Sequence, residues 1–293
     1  MSRIRVIAPG LQTTVQDLGR FHWAHYGVSA SGAADALALR AGNLIVGNAE
    51  NAPALEMTLA GASVEFEDAA VIALTGADFG SGLPLYTALE VKAGETVRCM
   101  ATRGGARCYL CVAGGIDAPR VMGSASTHVM TGVGGRPLRS GDMLMSGNGA
   151  VRRPRVAPAA YIRETGPIRV TEGPQADRFH GELYRAAYTV AEESNRMGLR
   201  LKGMAIPSPP GAMLTEGVAL GAIQVPPGGQ PIILFVEHQT TGGYPKPANV
   251  ISADFTRLGQ LRPRDELCFE LVNLDRARSL LQDQERWLYS LIS

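Results

Sequence analysis

Three groups of polar residues in this sequence have the types and spacing to grip a small polar molecule. The richest is Gln239-Thr-Thr-Gly-Gly-Tyr-Pro-Lys246, which sets a carboxamide, two hydroxyls, an aromatic ring and a cation around a Gly-Gly turn. The second is Ser194-Asn-Arg-Met-Gly-Leu-Arg200, and the third is formed by Gln12, Asp17 and Arg20. Asn195 and Gln239 each offer a donor and an acceptor, which suits an amide-like substrate. Arg196 or Lys246 can hold a carboxylate or phosphate. Tyr244 can close the pocket with its ring and donate from its hydroxyl. Gly242 and Gly243 allow close backbone approach. Backbone N–H groups from Thr241 to Gly243 are placed to stabilise a developing oxyanion. A plainer reading stands beside this one: a hairpin whose hydroxyls bond to backbone, and arginines held in ion pairs at the rim.

These groups need elements to carry them. Pro226 to Gln230 is a turn built from residues that preset φ or permit positive φ. Ile232 to Val236 follows as an apolar, β-branched run that reads as a buried strand ending at the Gln239 turn. Upstream, Arg5–Ile7, Ala54–Thr58, Ala62–Phe66, Ala70–Leu74, Glu95–Ala101 and Arg107–Ala113 read as strands. A helix is expected from Ala33 to Val46, with Ser31 as N-cap, and another from Asp177 to Ala187. Asn273 is expected to cap a closing helix with Leu274, Ala277, Leu280, Leu281 and Leu288 on its apolar face. The segment from Gly114 to Arg136 reads as a long glycine- and hydroxyl-rich loop.

Composition narrows the classes. The 293 residues carry a net charge of +1 without a basic stripe, which argues against nucleic acid as the main partner. Aromatic residues make up only 6%, against 35 glycines and 18 prolines, which favours short strands and tight turns. The first ten residues lack the apolar core of a signal peptide, and no apolar run approaches membrane-spanning length. With four cysteines this fits a reducing compartment, so a cytoplasmic location is expected. Cys108 and Cys111 form a C-x-x-C, but on a strand their sulfurs point to opposite faces, so a metal or redox role is not expected. His22 and His25 lack a third ligand nearby and read as packing or hydrogen-bonding residues. No nucleophile elbow, zinc motif, dinucleotide fingerprint or phosphate loop is present.

The second half repeats the order of the first. Arg169-Val170 with Gly173-Pro174 follows Arg5-Val6 with Pro9-Gly10, and Leu220-Gly-Ala222 echoes Ala60-Gly-Ala62. Ile232 to Val236 ends at Thr241-Gly242 as Val71 to Leu74 ends at Thr75-Gly76, and Leu261-Arg-Pro-Arg-Asp265 matches Leu138-Arg-Ser-Gly-Asp142. A mainly β chain of two related domains is expected, at 1–150 and 160–293, with a linker in Gly147 to Ala160.

Longer motifs resemble a known family. Pro9-Gly-Leu-Gln-Thr-Thr-Val-Gln-Asp-Leu-Gly-Arg20, Val112-Ala-Gly-Gly-Ile-Asp117, Ser194-Asn-Arg-Met-Gly198, Gly221-Ala-Ile-Gln-Val-Pro-Pro227, Gln239 to Lys246 and Val250-Ile-Ser-Ala-Asp254 resemble the biotin-dependent carboxyltransferase-like family, also described as allophanate hydrolase subunit 2, the 5-oxoprolinase C subunit, or KipA. Two departures stand out: Ser29-Ala30 where Pro-Arg is common, and Glu237-His238 where Asp-Arg is frequent. The resemblance implies two cyclophilin-like β-barrel domains, a few short helices and a C-terminal helix. It implies a partner, a KipI-like B subunit, together with an A subunit, and an ATP-dependent opening of 5-oxoproline to glutamate by the complex. ATP then belongs to the complex, and this chain alone is expected to be inactive. On this reading Arg196, Gln239, Thr241, Tyr244 and Lys246 are catalytic, and Asn195, Gln224, Gly242, Gly243, Gln12 and Asp17 bind substrate. Two other readings remain: a carboxyltransferase subunit using carboxybiotin and urea, and a regulatory antagonist of a KipI-like protein.

Overall fold

The computed structural model describes residues 1–147, 165–207 and 213–291. Among them, one compact unit takes in 1–20, 31–147 and 286–291, and a second takes in 21–30, 165–207 and 213–285. The segment 21–30 and the last turn of the closing helix are thus each grouped with the opposite half of the chain. The expected linker lies, past Gly147, outside the described residues.

The first unit contains β1 (Arg3–Ala8), β2 (Gln12–Gln16), α1 (Ala36–Ile45), β3 (Ala54–Thr58), β4 (Ser63–Phe66), β5 (Ala70–Gly76), β6 (Leu89–Val91), β7 (Glu95–Arg98), β8 (Arg107–Val112), β9 (Ile116–Asp117) and β10 (Met143–Ser146). They form two five-stranded sheets, ordered β7-β4-β1-β10-β9 and β2-β3-β8-β5-β6. Strand alternation decides what each face buries. Ile4, Val6, Val64, Phe66 and Val97 from the first sheet share one core with Leu55, Met57, Ile72, Leu74 and Leu110 from the second. Each such side chain contributes about 1.5–3 kcal/mol of burial.

The two cysteines of β8 divide as the alternation requires. Cys108 lies in that core, while Cys111 and Tyr109 face the α1 layer with Leu37, Ala41 and Ile45. A Cβ on Gly42 would come within 2.6 Å of the Cys111 sulfur, so only glycine lets α1 lie this close to β8. The α1 N-cap is Asp35, whose carboxylate accepts from the Ala38 N–H, and not Ser31. Ser31 instead takes a positive φ of 56° and turns its hydroxyl to the Thr127 carbonyl. The helix therefore starts three residues later than the capping pattern suggested.

The second unit holds β11 (Ile168–Glu172), β12 (Tyr188–Val190), β13 (Gly198–Gly203), β14 (Glu216–Gly217), β15 (Ala222–Gln224), β16 (Ile232–Leu234), β17 (Thr241–Gly242), β18 (Ala248–Val250), α2 (Phe255–Gln260), β19 (Glu266–Leu267), β20 (Phe269–Leu271) and most of α3 (Leu274–Ser290). Eight strands run in the order β19-β12-β13-β16-β15-β18-β11-β20. The two edge strands are halves of one segment, parted only by Cys268. Glu266 and Leu267 pair with β12 while Phe269 to Leu271 pair with β11, and the Ile168 N–H donates to the Cys268 carbonyl. The sheet therefore returns on itself as a nearly closed barrel, which removes exposed edges. A separate two-stranded ladder, β14-β17, stands outside it.

The segment expected to be helical from Asp177 to Ala187 forms only two 3-10 turns, Ala176–Arg178 and Glu182–Tyr184. Gly181 between them sits at φ 81°, a left-handed conformation that no α-helix continues through. The strand at Ile232 ends at Leu234, two residues short of the apolar run, because Val236 and Glu237 turn. The Phe235 and Glu237 N–H groups donate to the Met197 and Arg196 carbonyls. Asn273 caps α3 through the Arg276 N–H, and Leu280 packs on Ile251 and Ala253. Among the described residues, no helix is long and apolar enough to cross a membrane.

The repeat is clearest at the Leu-Arg-x-x-Asp turns. In each, the aspartate carboxylate accepts the arginine N–H and the aspartate N–H donates to the arginine carbonyl. The aspartate carbonyl then receives a strand N–H, from Val6 at one turn and Val190 at the other.

Candidate functional site

The second unit gathers the polar residues into a network over β15. The β14-β17 ladder pairs Glu216 with Gly242 and Gly217 with Thr241. This brings the Gln239 turn onto the end of β15, where Gln239 Nε2 donates to Gln224 Oε1 at 3.2 Å. Gln224 is 2% exposed, and its Nε2 has no hydrogen-bond partner. A Cβ on Gly242 would lie 2.5 Å from that nitrogen, so the turn needs glycine here to fit over the amide. Two carboxamides thus stand linked, with the Gln224 amide nitrogen buried and unpaired.

Lys246 ends the same turn. Its side chain is 3% exposed, and Nζ donates to Glu216 Oε1 at 2.5 Å and to the Tyr244 carbonyl at 3.4 Å. Gln175 completes the group: Oε1 accepts from the Lys246 N–H and Nε2 donates to Glu216 Oε1 at 3.0 Å. The Lys246 hydrogen bond, then that from Gln175, then the lysine charge, hold the Glu216 carboxyl below its ordinary range. Tyr244 is 44% exposed at the rim, and Thr241 is exposed. Gly243 lies beside Thr215 and Met213.

Arg196 belongs to a different contact. Its Nε donates to Glu237 Oε1 at 2.5 Å, and both side chains are buried. Of the two cations expected to carry an anion, Arg196 is therefore paired with Glu237, and Lys246 is paired with Glu216 of the β14-β17 ladder. Asn195 folds its carboxamide oxygen onto the Met197 N–H. It lines a separate cleft of about 670 Å3 with Arg200, Lys202, Pro226, Gln230 and Ile232. That cleft shares none of the Gln239 to Lys246 residues. His238 directs Nδ1 to the Gln239 carbonyl at 2.6 Å, so that nitrogen carries the proton. Burial lowers its pKa, and the carbonyl bond opposes the shift.

In the first unit, Asp17 is a loop anchor. Its carboxylate accepts from the Ser124 and Ser126 hydroxyls at 2.6 and 2.5 Å and from the Ala125 and Gly19 N–H groups. Burial pushes its pKa up, but these four donors outweigh it and the net shift is downward. The segment from Gly114 onward is thereby pinned at Ser124–Thr127. Gln12 begins β2 opposite Thr58. The structure thus brings together Gln224, Gln239, Thr241, Gly242 and Lys246. Gln12 and Asp17 lie in the other unit. Glu216 and Gln175 were not anticipated: Glu216 stands in an unpatterned stretch, and Gln175 simply follows the Gly173-Pro174 pair.

Comparison with known proteins gives this geometry a family. Residues 26–271 match the family model described as carboxyltransferase domain, subdomain A and B. The 5-oxoprolinase C subunit of Escherichia coli (strain K12) is 39% identical over 98% of this chain and 97% of its own. That of Haemophilus influenzae is 38% identical over 94% of each. Among solved structures, TTHA0988 superposes with a TM-score of 0.83 at 35% identity, and the chain spans about half (55%) of its length. The Kluyveromyces lactis urea amidolyase superposes with a TM-score of 0.87 at 30% identity over 99% of this chain and 20% of that one. With the match running through both units and across the amide network, the chain belongs to the carboxyltransferase domain family, subdomains A and B.

Proposed function

We propose that this chain is the C subunit of an ATP-dependent 5-oxoprolinase-type complex, acting in the cytoplasm together with an A subunit plus a KipI-like B subunit. The observation that carries this reading is the end-to-end likeness, at matched length, to two proteins named as 5-oxoprolinase C subunits. The amide network suits the reaction. In 5-oxoproline the lactam C–N bond breaks, the carbonyl carbon gains the oxygen of water, and the nitrogen leaves as an amine. Gln224 and Gln239 present the donor and acceptor that orient a lactam edge. Lys246 supplies a buried cation that a substrate carboxylate can take over from Glu216, and the Thr241–Gly243 turn is the candidate source of N–H groups for the developing oxyanion.

The residues of this network do not form a cradle for a triphosphate. Lys246 is the one cation among them, and the Gln239 to Lys246 turn lacks the Gly-Lys-Ser/Thr pattern of a phosphate loop. ATP is accordingly assigned to the partners, and no step here passes through it.

A second reading has an observation of its own: the family's description and the likeness to a urea amidolyase favour carboxylate transfer from carboxybiotin to urea. Supplying the assembled complex with ATP and 5-oxoproline in one reaction, and with carboxybiotin and urea in another, separates the two. Glutamate in the first and no carboxylated urea in the second is the expected pattern; the reverse would replace the first reading with the second.

A further inference from the structure

The contact between Glu216 and Lys246 is unusual in how unevenly it is built. The lysine is 3% exposed, held from below by the Gln175 bond to its N–H, and it needs an anion because an unpaired buried ammonium is costly. The glutamate that supplies the anion is 42% exposed. It is carried on β14, two residues long, whose ladder partner is the equally short β17. Besides that ladder, the Val218 N–H bond to the Thr240 carbonyl holds the strands together. A buried cation thus meets a half-exposed carboxylate that is carried on a short ladder and held, besides Lys246, by the Gln175 Nε2 bond.

The same ladder covers the amide pair. Gly242 of β17, paired with Glu216, lies directly against Gln224 Nε2. That nitrogen is a buried donor without a partner, a state that costs free energy until something accepts from it. The opening does not depend on how the two amides are turned. If both are rotated, Gln224 Nε2 donates to Gln239 Oε1, and one acceptor and one donor still remain, one on each residue.

We propose that Glu216 is a displaceable internal carboxylate: it occupies on Lys246 the place a substrate carboxylate takes, and its release loosens β14 so that the Gly242 backbone can shift off the Gln224 amide nitrogen. Glu216 is then a positioning and specificity-determining residue. A ligand carrying both a carboxylate and an amide edge opens the site and fills it. A neutral amide meets the cover without the group that releases it. This rests on the functional reading above for the identity of the substrate, but the exchange of one carboxylate for another on Lys246 is independent of it. The lowered carboxyl pKa of Glu216 means that it stays charged near neutral pH, so the exchange is anion for anion.

The test measures binding by calorimetry to the assembled complex, wild type, Glu216→Gln and Glu216→Asp, with three probes: 5-oxoproline, 2-pyrrolidone and propionate. Removing the internal competitor should tighten 5-oxoproline binding by roughly tenfold if the cover is closed about nine-tenths of the time. Propionate should gain in the same direction, and the aspartate variant should return toward wild type. For 2-pyrrolidone the wild-type complex should show only weak binding. If 5-oxoproline binds neither protein while propionate gains in Glu216→Gln, the displacement stands and the substrate reading falls. If the folded Glu216→Gln complex binds both carboxylates no more tightly than wild type, the displacement is refuted. A crystal structure of the wild-type chain with 5-oxoproline gives an answer that needs no variant. Glu216 should be detached from Lys246 with the ligand carboxylate in its place, and a retained Glu216–Lys246 bond beside bound ligand would overturn the proposal.

Discussion

Replacing Arg196 with methionine separates a structural arginine from a catalytic one. Arg196 is 7% exposed and Glu237 is 3% exposed, with Nε and Oε1 at 2.5 Å. Methionine keeps the length of the side chain but leaves the Glu237 carboxylate buried beside an apolar group. Breaking a buried pair from one side costs about 3–5 kcal/mol. The backbone bond from the Glu237 N–H to the Arg196 carbonyl survives the change, which favours the lower end. At about 2–4 °C per kcal/mol for a chain of this order, the melting temperature should fall by on the order of 10 °C. Glu237→Gln in the same chain should recover part of the loss, giving a coupling energy above about 1 kcal/mol in a double-mutant cycle. Thermal and urea unfolding of the four proteins measure this, and turnover of the assembled complex is measured at a temperature where all are folded. Per folded molecule, kcat/KM should be nearly unchanged. An unchanged melting temperature with a hundredfold loss of kcat/KM would refute the reasoning and return Arg196 to the site.

Other consequences can be checked in the same way. Lys246→Met should lower kcat/KM for 5-oxoproline by about a hundredfold, as a lost charged contact of about 3 kcal/mol requires, measured by glutamate release. Asp254 is fully buried and accepts from the Arg169 N–H, the Arg169 guanidinium and Arg257, so Asp254→Ala should destabilise the chain by about 3–5 kcal/mol in urea unfolding. The folded pKa of Asp17 lies below its ordinary value of 3.8, so the stability it contributes is present above that value and is lost as pH falls through the lower, folded one. Urea unfolding of wild type and Asp17→Asn from pH 6 to pH 2.5 should therefore show the difference between them shrinking in acid. Gly42→Ala should cost about 1–3 kcal/mol, because its Cβ meets the Cys111 sulfur of β8.

What could be read from the sequence follows from where the governing interactions lie. The β3 strand was legible at both ends because its apolar alternation is local, and so was the split of Cys108 and Cys111 between two faces of β8. The Asn273 cap and the two Leu-Arg-x-x-Asp turns are local as well, with these bonds closing over three residues. The helix expected at Asp177 to Ala187 failed on one backbone angle at Gly181, which side-chain spacing does not report. The site was legible as a list of residues but not as an arrangement. Gln239 and Lys246 were placed by the chemistry of their turn. Their partners Gln224, Glu216 and Gln175 stand 15, 30 and 71 residues away and are brought in by the barrel and the β14-β17 ladder. Arg196 looked equally suited to an anion until the fold set Glu237, 41 residues on, against it.

The most direct test is the ATP-dependent formation of glutamate from 5-oxoproline by the purified A and B partners, with and without this chain. Glutamate should form only when all three are present, with the chain alone inactive, and should be reduced by about a hundredfold in kcat/KM when Gln224 and Gln239 are both replaced by leucine. Full activity without this chain, or full activity with the double variant, would contradict the account.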